Sequence, residues 1–218
     1  LGLSYQDFQK NPYLRYASSA VDKMNADQYQ LSVKYFTQWD SGWNATLIAY
    51  QQEVNRNWYK LDKVMGTKIG AILQSPATYP IEYASLRGQS TGNADYALKA
   101  NNRAYYSRGI QAKASQQWAW SKTKMRLEVG LRVHADGMDR FQWVDDYRME
   151  NGSLILSNEG IPGTDSNRLE SANAWASYTQ IEWIRGNWSL SPGIRVEHIA
   201  LSREDYGKAD ADRLGTSL

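Results

Sequence analysis

The stretch KMRLEVGLRVHADG, Lys124–Gly137, alternates between charged or very small residues and apolar ones. Met125, Leu127, Val129, Leu131, Val133 and Ala135 share one face, and Lys124, Arg126, Glu128, Gly130, Arg132 and His134 share the other, because successive strand side chains point to opposite sides of a sheet. The apolar row has two possible destinations. A soluble sandwich buries it in a protein core, whereas a transmembrane barrel turns it to lipid and leaves the charges in a wet lumen.

The same alternation recurs in pairs of segments. Tyr29, Leu31, Val33 and Tyr35 alternate with Gln28, Gln30, Ser32 and Lys34, and TQWDSG then turns the chain into WNATLIAYQQEVNRNWYKL. AYYSRGIQAKASQQWAW turns at Ser121–Thr123 into the opening stretch, and SANAWASYTQIEWI turns at RGN into WSLSPGIRVEHIALSRED. Three hairpins follow. Between them lie the polar stretches Asp62–Arg103, holding Gly66, Gly70, Pro76, Pro80, Gly88 and Gly92, and Asp145–Glu170, holding Gly152, Gly160, Pro162 and Gly163. Both read as long loops, the first with room for a short local element. Short turns therefore lie at one end of the strands and long loops at the other, as in outer-membrane barrels. Trp39, Trp43, Trp118, Trp120, Trp183 and Trp188 cluster at the short-turn end, where an aromatic girdle meets the bilayer edge. An apolar row of about eleven residues at ~3.3 Å rise and ~45° tilt climbs roughly 25 Å, the height of a barrel's apolar band. The pattern predicts an all-β, antiparallel, up-and-down transmembrane β-barrel segment of about six strands. Two irregularities are expected. Ala172, Ala174, Ala176 and Tyr178 conflict in parity with Ile181, Trp183 and Trp188, which predicts a bulge near Gln180, and Pro192 marks a strand edge or a strand start.

Composition narrows the choice without overturning it. No run of eighteen apolar residues occurs and mean hydropathy is −0.65, which excludes a transmembrane helix but not barrel strands. The formal net charge of +2 implies no bulk attraction to nucleic acid, and the absence of Cys removes disulfides and thiolate chemistry. Nine Trp and fifteen Tyr against three Phe favour rings with one apolar and one wet end. The opening LGLSYQDFQKNPY has neither a basic start nor an apolar core, so it reads as a mature or internal start rather than a leader.

No enzyme constellation is expected. Ser, His and Asp occur without a Gly-x-Ser-x-Gly elbow, His134 and His198 lie on different hairpins and read as ordinary strand residues rather than a metal pair, and SNEGIPGTDSN lacks the spacing of a calcium loop. Lys124, Arg126, Glu128, Arg132, Arg195 and Glu197 are expected to form lumen-facing pairs. Arg56, Arg103 and Arg168 flank long loops on the same side, and a vestibule so lined attracts anions by charge and by bidentate hydrogen bonds to carboxylates.

At LGLSYQDFQKNPYLRYASSAVDKM, AYYSRGIQ, LEVGLRVH and GNWSLSPGIRVEHI the sequence resembles TonB-dependent outer-membrane receptors, most closely the ferric-citrate receptor group. The resemblance implies a barrel of about 22 strands enclosing a plug domain, in the outer membrane of a Gram-negative bacterium. It implies energisation by the TonB–ExbB–ExbD system through an N-terminal part. Neither plug nor TonB box is visible in residues 1–218, and about six strands cannot close a lumen when the smallest such barrels have about eight. The chain thus resembles part of a receptor barrel. By this resemblance Arg103, five residues before RGI, contacts the citrate carboxylates, as do Arg56 and Arg168 by approximate position. Iron is then chelated cargo, with no intrinsic metal or cofactor. The alternative is a secreted all-β module that stacks carbohydrate on exposed Trp and Tyr, a protein soluble without detergent.

Overall fold

A computed structural model describes residues 2–89 and 94–213; Gly92 of the first predicted loop and residues 214–218 lie outside them. The described strands are β1 (Lys23–Gln38), β2 (Trp43–Val64), β3 (Thr67–Lys68), β4 (Asp95–Trp120), β5 (Thr123–Glu150), β6 (Ser153–Asn158), β7 (Ser166–Arg185), β8 (Trp188–Leu190) and β9 (Gly193–Asp205). Three short helices join them: α1 (Tyr5–Lys10), α2 (Ile69–Gln74) and α3 (Pro80–Leu86). All pairings are antiparallel and follow chain order, β1–β2–β4–β5–β7, with β8 and β9 both on the far edge of β7. This is the up-and-down meander of a barrel segment.

The three hairpins turn where the sequence places them. Trp39 N–H donates to Trp43 O at 2.8 Å, with Gly42 at φ +83° supplying the left-handed step. Along β2 the even positions Thr46–Arg56 are half-buried, while Leu47, Ala49, Gln51, Glu53 and Asn55 are exposed. The face on which these exposed residues stand is here called outer, and the other inner. The register carries the outer face onto Leu31 and Val33 of β1, Ile110 of β4, Leu131 and Val133 of β5, Trp175 of β7 and Val196 of β9, all exposed. Large apolar side chains outside and polar ones inside invert the order of a soluble core and match a barrel wall. No described helix is long and apolar enough to cross a membrane. The apolar outer band runs on β5 from Met125 to Ala135 and ends on a single cross-strand row, Gln51, Arg108, Ala135, Asn173 and Ala200. Inside it, Gly130 lies opposite Tyr178, whose ring crosses so closely that a Cβ at Gly130 would fall 2.1 Å from Cε1.

Above that row the strands continue, and here two expectations fail. Asp62–Arg103 is not one long loop: β2 runs to Val64, and β4 begins at Asp95. Asp145–Glu170 is not one loop either, because β5 runs to Glu150 and folds back as β6 before β7 begins at Ser166. These upper strands carry a core on the outer face. Leu61, Tyr96 and Leu98 are fully buried there against Tyr16, Ile72 and Leu86 from residues 2–22 and from α2 and α3. Segments distant in sequence supply the apolar partners, so the local pattern looks polar and loop-like.

The predicted bulge near Gln180 is absent. One register joins β5 to β7 from Lys124↔Ile184 to Gln142↔Ser166, with Ala172, Ala174, Ala176 and Tyr178 on the inner face and Trp175, Ile181 and Trp183 outside. Alanines carry too little apolar surface to identify a lipid face. Register shifts fall instead between Leu61 and Lys63 of β2 and between Asp146 and Tyr147 of β5. Pro192 interrupts the last strand without moving its register, since Trp183↔Leu190 and Gln180↔Gly193 keep the same offset, while its carbonyl accepts from Ile181 N–H at 3.0 Å.

Candidate anion-binding site

Four strands place one arginine each on a single cross-strand line. Arg56 of β2 pairs with Arg103 of β4, Arg103 with Arg140 of β5, and Arg140 with Arg168 of β7. All four are inner-face residues, five residues above the end of the apolar band, or roughly 17 Å along the strands. Arg56, Arg103 and Arg168 are thus brought together, but Arg56 and Arg103 do not stand at strand ends: Arg103 lies well inside β4, because the strands outrun the predicted loops. Arg140 is missed by a reading that carries the alternation of the Lys124–Gly137 stretch no further than Gly137. Its signal is parity, since Arg126, Arg132 and Arg140 share the even, charged row of β5.

Neighbouring strands lie about 4.8 Å apart, and like charges directly opposite destabilise a sheet. The row has little internal compensation. Arg168 Nε forms an ion pair with Glu170 Oε1 at 3.0 Å, but the buried Nε atoms of all four arginines make no hydrogen bond among the described residues. Burial, together with Arg103 and Arg168 on either side, holds the Arg140 guanidinium below the usual arginine range. Tyr105, one inner position below the row, accepts from Arg56 Nη2 and Arg103 Nη1, each at 3.3 Å. Burial raises its pKa, yet these bonds and charges, Arg103's first, outweigh burial and bring the phenol below its ordinary value. Tyr105, also unforeseen, is thereby fixed between two cations with its own proton free to face an acceptor. Such an array can bind a multiply charged anion through several charge-assisted bonds.

These strands form one wall of a β-barrel segment. No protein-family model matches the sequence, and no curated protein matches it. Among solved structures, the ferric citrate transporter FecA in its unliganded form superposes with a TM-score of 0.64 at 20% identity, over 94% of this chain and 25% of that one. The chain thus spans a quarter of that transporter's length.

The remaining candidates are dispersed. His134 faces inward, with Nδ1 2.7 Å from Tyr50 Oη and Nε2 3.0 Å from Asp136 Oδ2, whereas His198 stands on the outer face against Trp175. The two do not form a pair, and no group of three or more His, Asp or Glu able to hold a metal occurs among the described residues. Within SNEGIPGTDSN, Asp165 pairs with Lys99 at 2.5 Å and Asn167 accepts from Arg213 at 2.6 Å. Of the expected inner-face pairs, Arg126–Glu128 and Arg195–Glu197 form at 3.0 and 3.1 Å, Lys113 joins Glu128 at 3.1 Å, and Arg132 instead donates to Tyr50 at 3.1 Å.

Proposed function

We propose that the chain is part of the barrel of a TonB-dependent outer-membrane receptor of a Gram-negative bacterium. In this reading the receptor captures a ferric carboxylate chelate, ferric citrate or a close analogue, and passes it inward past a plug domain energised by TonB. The observation that carries it is the in-register row Arg56–Arg103–Arg140–Arg168. Four aligned guanidiniums repel one another and oppose folding; a bound polyanion reverses that sign. The likeness to a ferric citrate transporter supports iron as cargo, and the site needs no protein ligands for a metal whose chelator already supplies them. Farther inward the path turns polar, with Gln52, Ser107 and Asp136 two inner positions below the row, past Val54, Tyr105 and Met138.

The test is ferric citrate binding by the full-length receptor, with surface abundance measured in parallel. Arg103→Ala removes charge-assisted contacts worth about 1.5 to 3 kcal/mol, an expected ten- to hundredfold loss of affinity at normal abundance. Arg103→Lys recovers only part, because ammonium keeps the charge and loses the planar fork. Unchanged affinity in the Ala variant overturns the reading.

A further inference from the structure

Directly beneath the arginine row the inner face holds a concavity of about 710 Å3. Its wall includes Val54, Met138, Ala172, Leu201 and the ring of Tyr105. The register puts Val54, Tyr105 and Met138 on one cross-strand row, and Ala172 and Leu201 on the row below. An apolar floor is out of place on the wet face of such a wall. Lower on the same face, Lys113, Arg126, Glu128 and Arg132 dominate, as expected where side chains meet water. Exposed apolar concavities of this size, rimmed by a few convergent polar groups, are the usual form of a small-molecule site.

A bare tricarboxylate has no hydrocarbon to lay against that floor, and its charges would be drawn up to the guanidiniums. We propose, on the strength of the anion reading above, that the chelator is amphiphilic: its carboxylates engage the arginine row while a hydrocarbon substituent occupies the cavity lined by Val54, Met138 and Leu201. Charge complementarity fixes the orientation. Glu170 borders the cavity and is tied to Arg168 and Arg203, at 3.0 and 3.9 Å, so the anionic head lies towards Arg56, Arg103 and Arg140, and the neutral tail points down. Tyr105 borders both regions: its hydroxyl is held by the arginines, and the residue lines the cavity.

The experiment compares two probes of equal charge, the ferric complexes of citrate mono-methylamide and citrate mono-butylamide, with ferric citrate as the reference, by quenching of tryptophan fluorescence in the detergent-purified full-length receptor. Each methylene buried is expected to add about fourfold in affinity, so the butylamide complex, longer by three methylenes, binds roughly ten- to hundredfold tighter than the methylamide. The variant carrying Met138→Gln and Leu201→Gln loses that preference and keeps its affinity for ferric citrate, while Arg103→Ala weakens both probes. Equal affinity for the two probes in the unaltered receptor overturns the inference and leaves the anion site standing, as does a preference that survives in the double variant. Loss of ferric citrate binding in the double variant assigns the cavity to a segment of the receptor itself and likewise overturns it. If neither the probes nor ferric citrate bind, or if Arg103→Ala changes none of them, the anion reading fails with it.

Discussion

The outer face of the same strands is solvated in two ways. Between the tryptophans of the short turns and the row through Gln51, Arg108, Ala135 and Asn173, its apolar side chains are left open: Leu131 is 62% and Val133 64% exposed. Higher up, Leu61 is 1% and Leu98 0% exposed, covered by residues 2–22, α2 and α3. One half of the face uses lipid as its apolar partner and the other uses protein. The difference explains how the arginine row is held. A row of like charges needs a stiff mount, and the capped upper strands provide one beyond the bilayer, where neither lipid nor loop flexibility sets the geometry.

The sharpest way to break this comparison is to shorten a leucine in each half. Leu61→Ala opens a cavity in a closed core and is expected to cost about 2 to 5 kcal/mol. Leu131→Ala is expected to cost only the transfer part, at most about 2 kcal/mol, because lipid chains close over the gap and leave no cavity. Urea unfolding of the receptor in lipid vesicles measures both, and equal losses would erase the distinction between the halves. Adding charge reverses the sensitivity within the lower half. Leu131→Asp puts a carboxylate near the middle of the apolar band at a cost on the order of 2 kcal/mol, somewhat below that of Lys or Arg there, whereas Arg132→Asp faces the polar inner side and is expected to fold with near-normal yield. Similar folding yields for the two would overturn this assignment of the faces, and a reversed order would mean that inner and outer are exchanged.

The lower half was legible in the sequence and the upper half was not, for the same physical reason. Lipid presents a uniform apolar partner, so every outward residue from Met125 to Ala135 follows one rule and the alternation can be read locally. The cap is a partner assembled from distant segments: Tyr96 of β4 packs with Tyr16 and Leu86, and no window of sequence contains that pairing. Strands β2, β4 and β5 were therefore cut short, and β6 went unseen. The candidate site falls on the border between the two regimes. Arg56, Arg103 and Arg168 could be noticed as arginines near loops, but their alignment is a property of register. Arg140 joins them only when the β5 alternation is carried past Gly137.

The smallest expected effect tests how the cap is fastened. Asp7 is 3% exposed and accepts from Tyr16 Oη at 2.8 Å and from Tyr83 Oη, while the side chain of Ser4, the N-cap of α1, accepts from Asp7 N–H at 3.2 Å. Burial works to raise the Asp7 pKa, but the hydrogen bonds from Tyr83 and Tyr16 and the charge of Arg87 prevail and hold it below the ordinary 3.8. A carboxyl depressed by folding stabilises the folded state fully above its unfolded pKa and loses that contribution as pH falls through the lower, folded value. The fastening is therefore intact at neutral pH and weakens only below about pH 3.8. Tyr83 marks the alkaline limit: burial, then its bond to Asp7, pushes its hydroxyl up to about 12, so its contribution is complete below 10 and fades as pH rises through about 12. Asp7→Asn keeps the shape and removes the charge, and is expected to cost about 1 kcal/mol at neutral pH. Hydrogen exchange of residues 2–22 measures it. Amides there should exchange faster in the variant at pH 7 and converge with the unaltered protein in acid, while those of β5 between Met125 and Ala135 stay unchanged at both. Faster exchange that spreads into β5 would mean that cap and membrane band unfold as one unit.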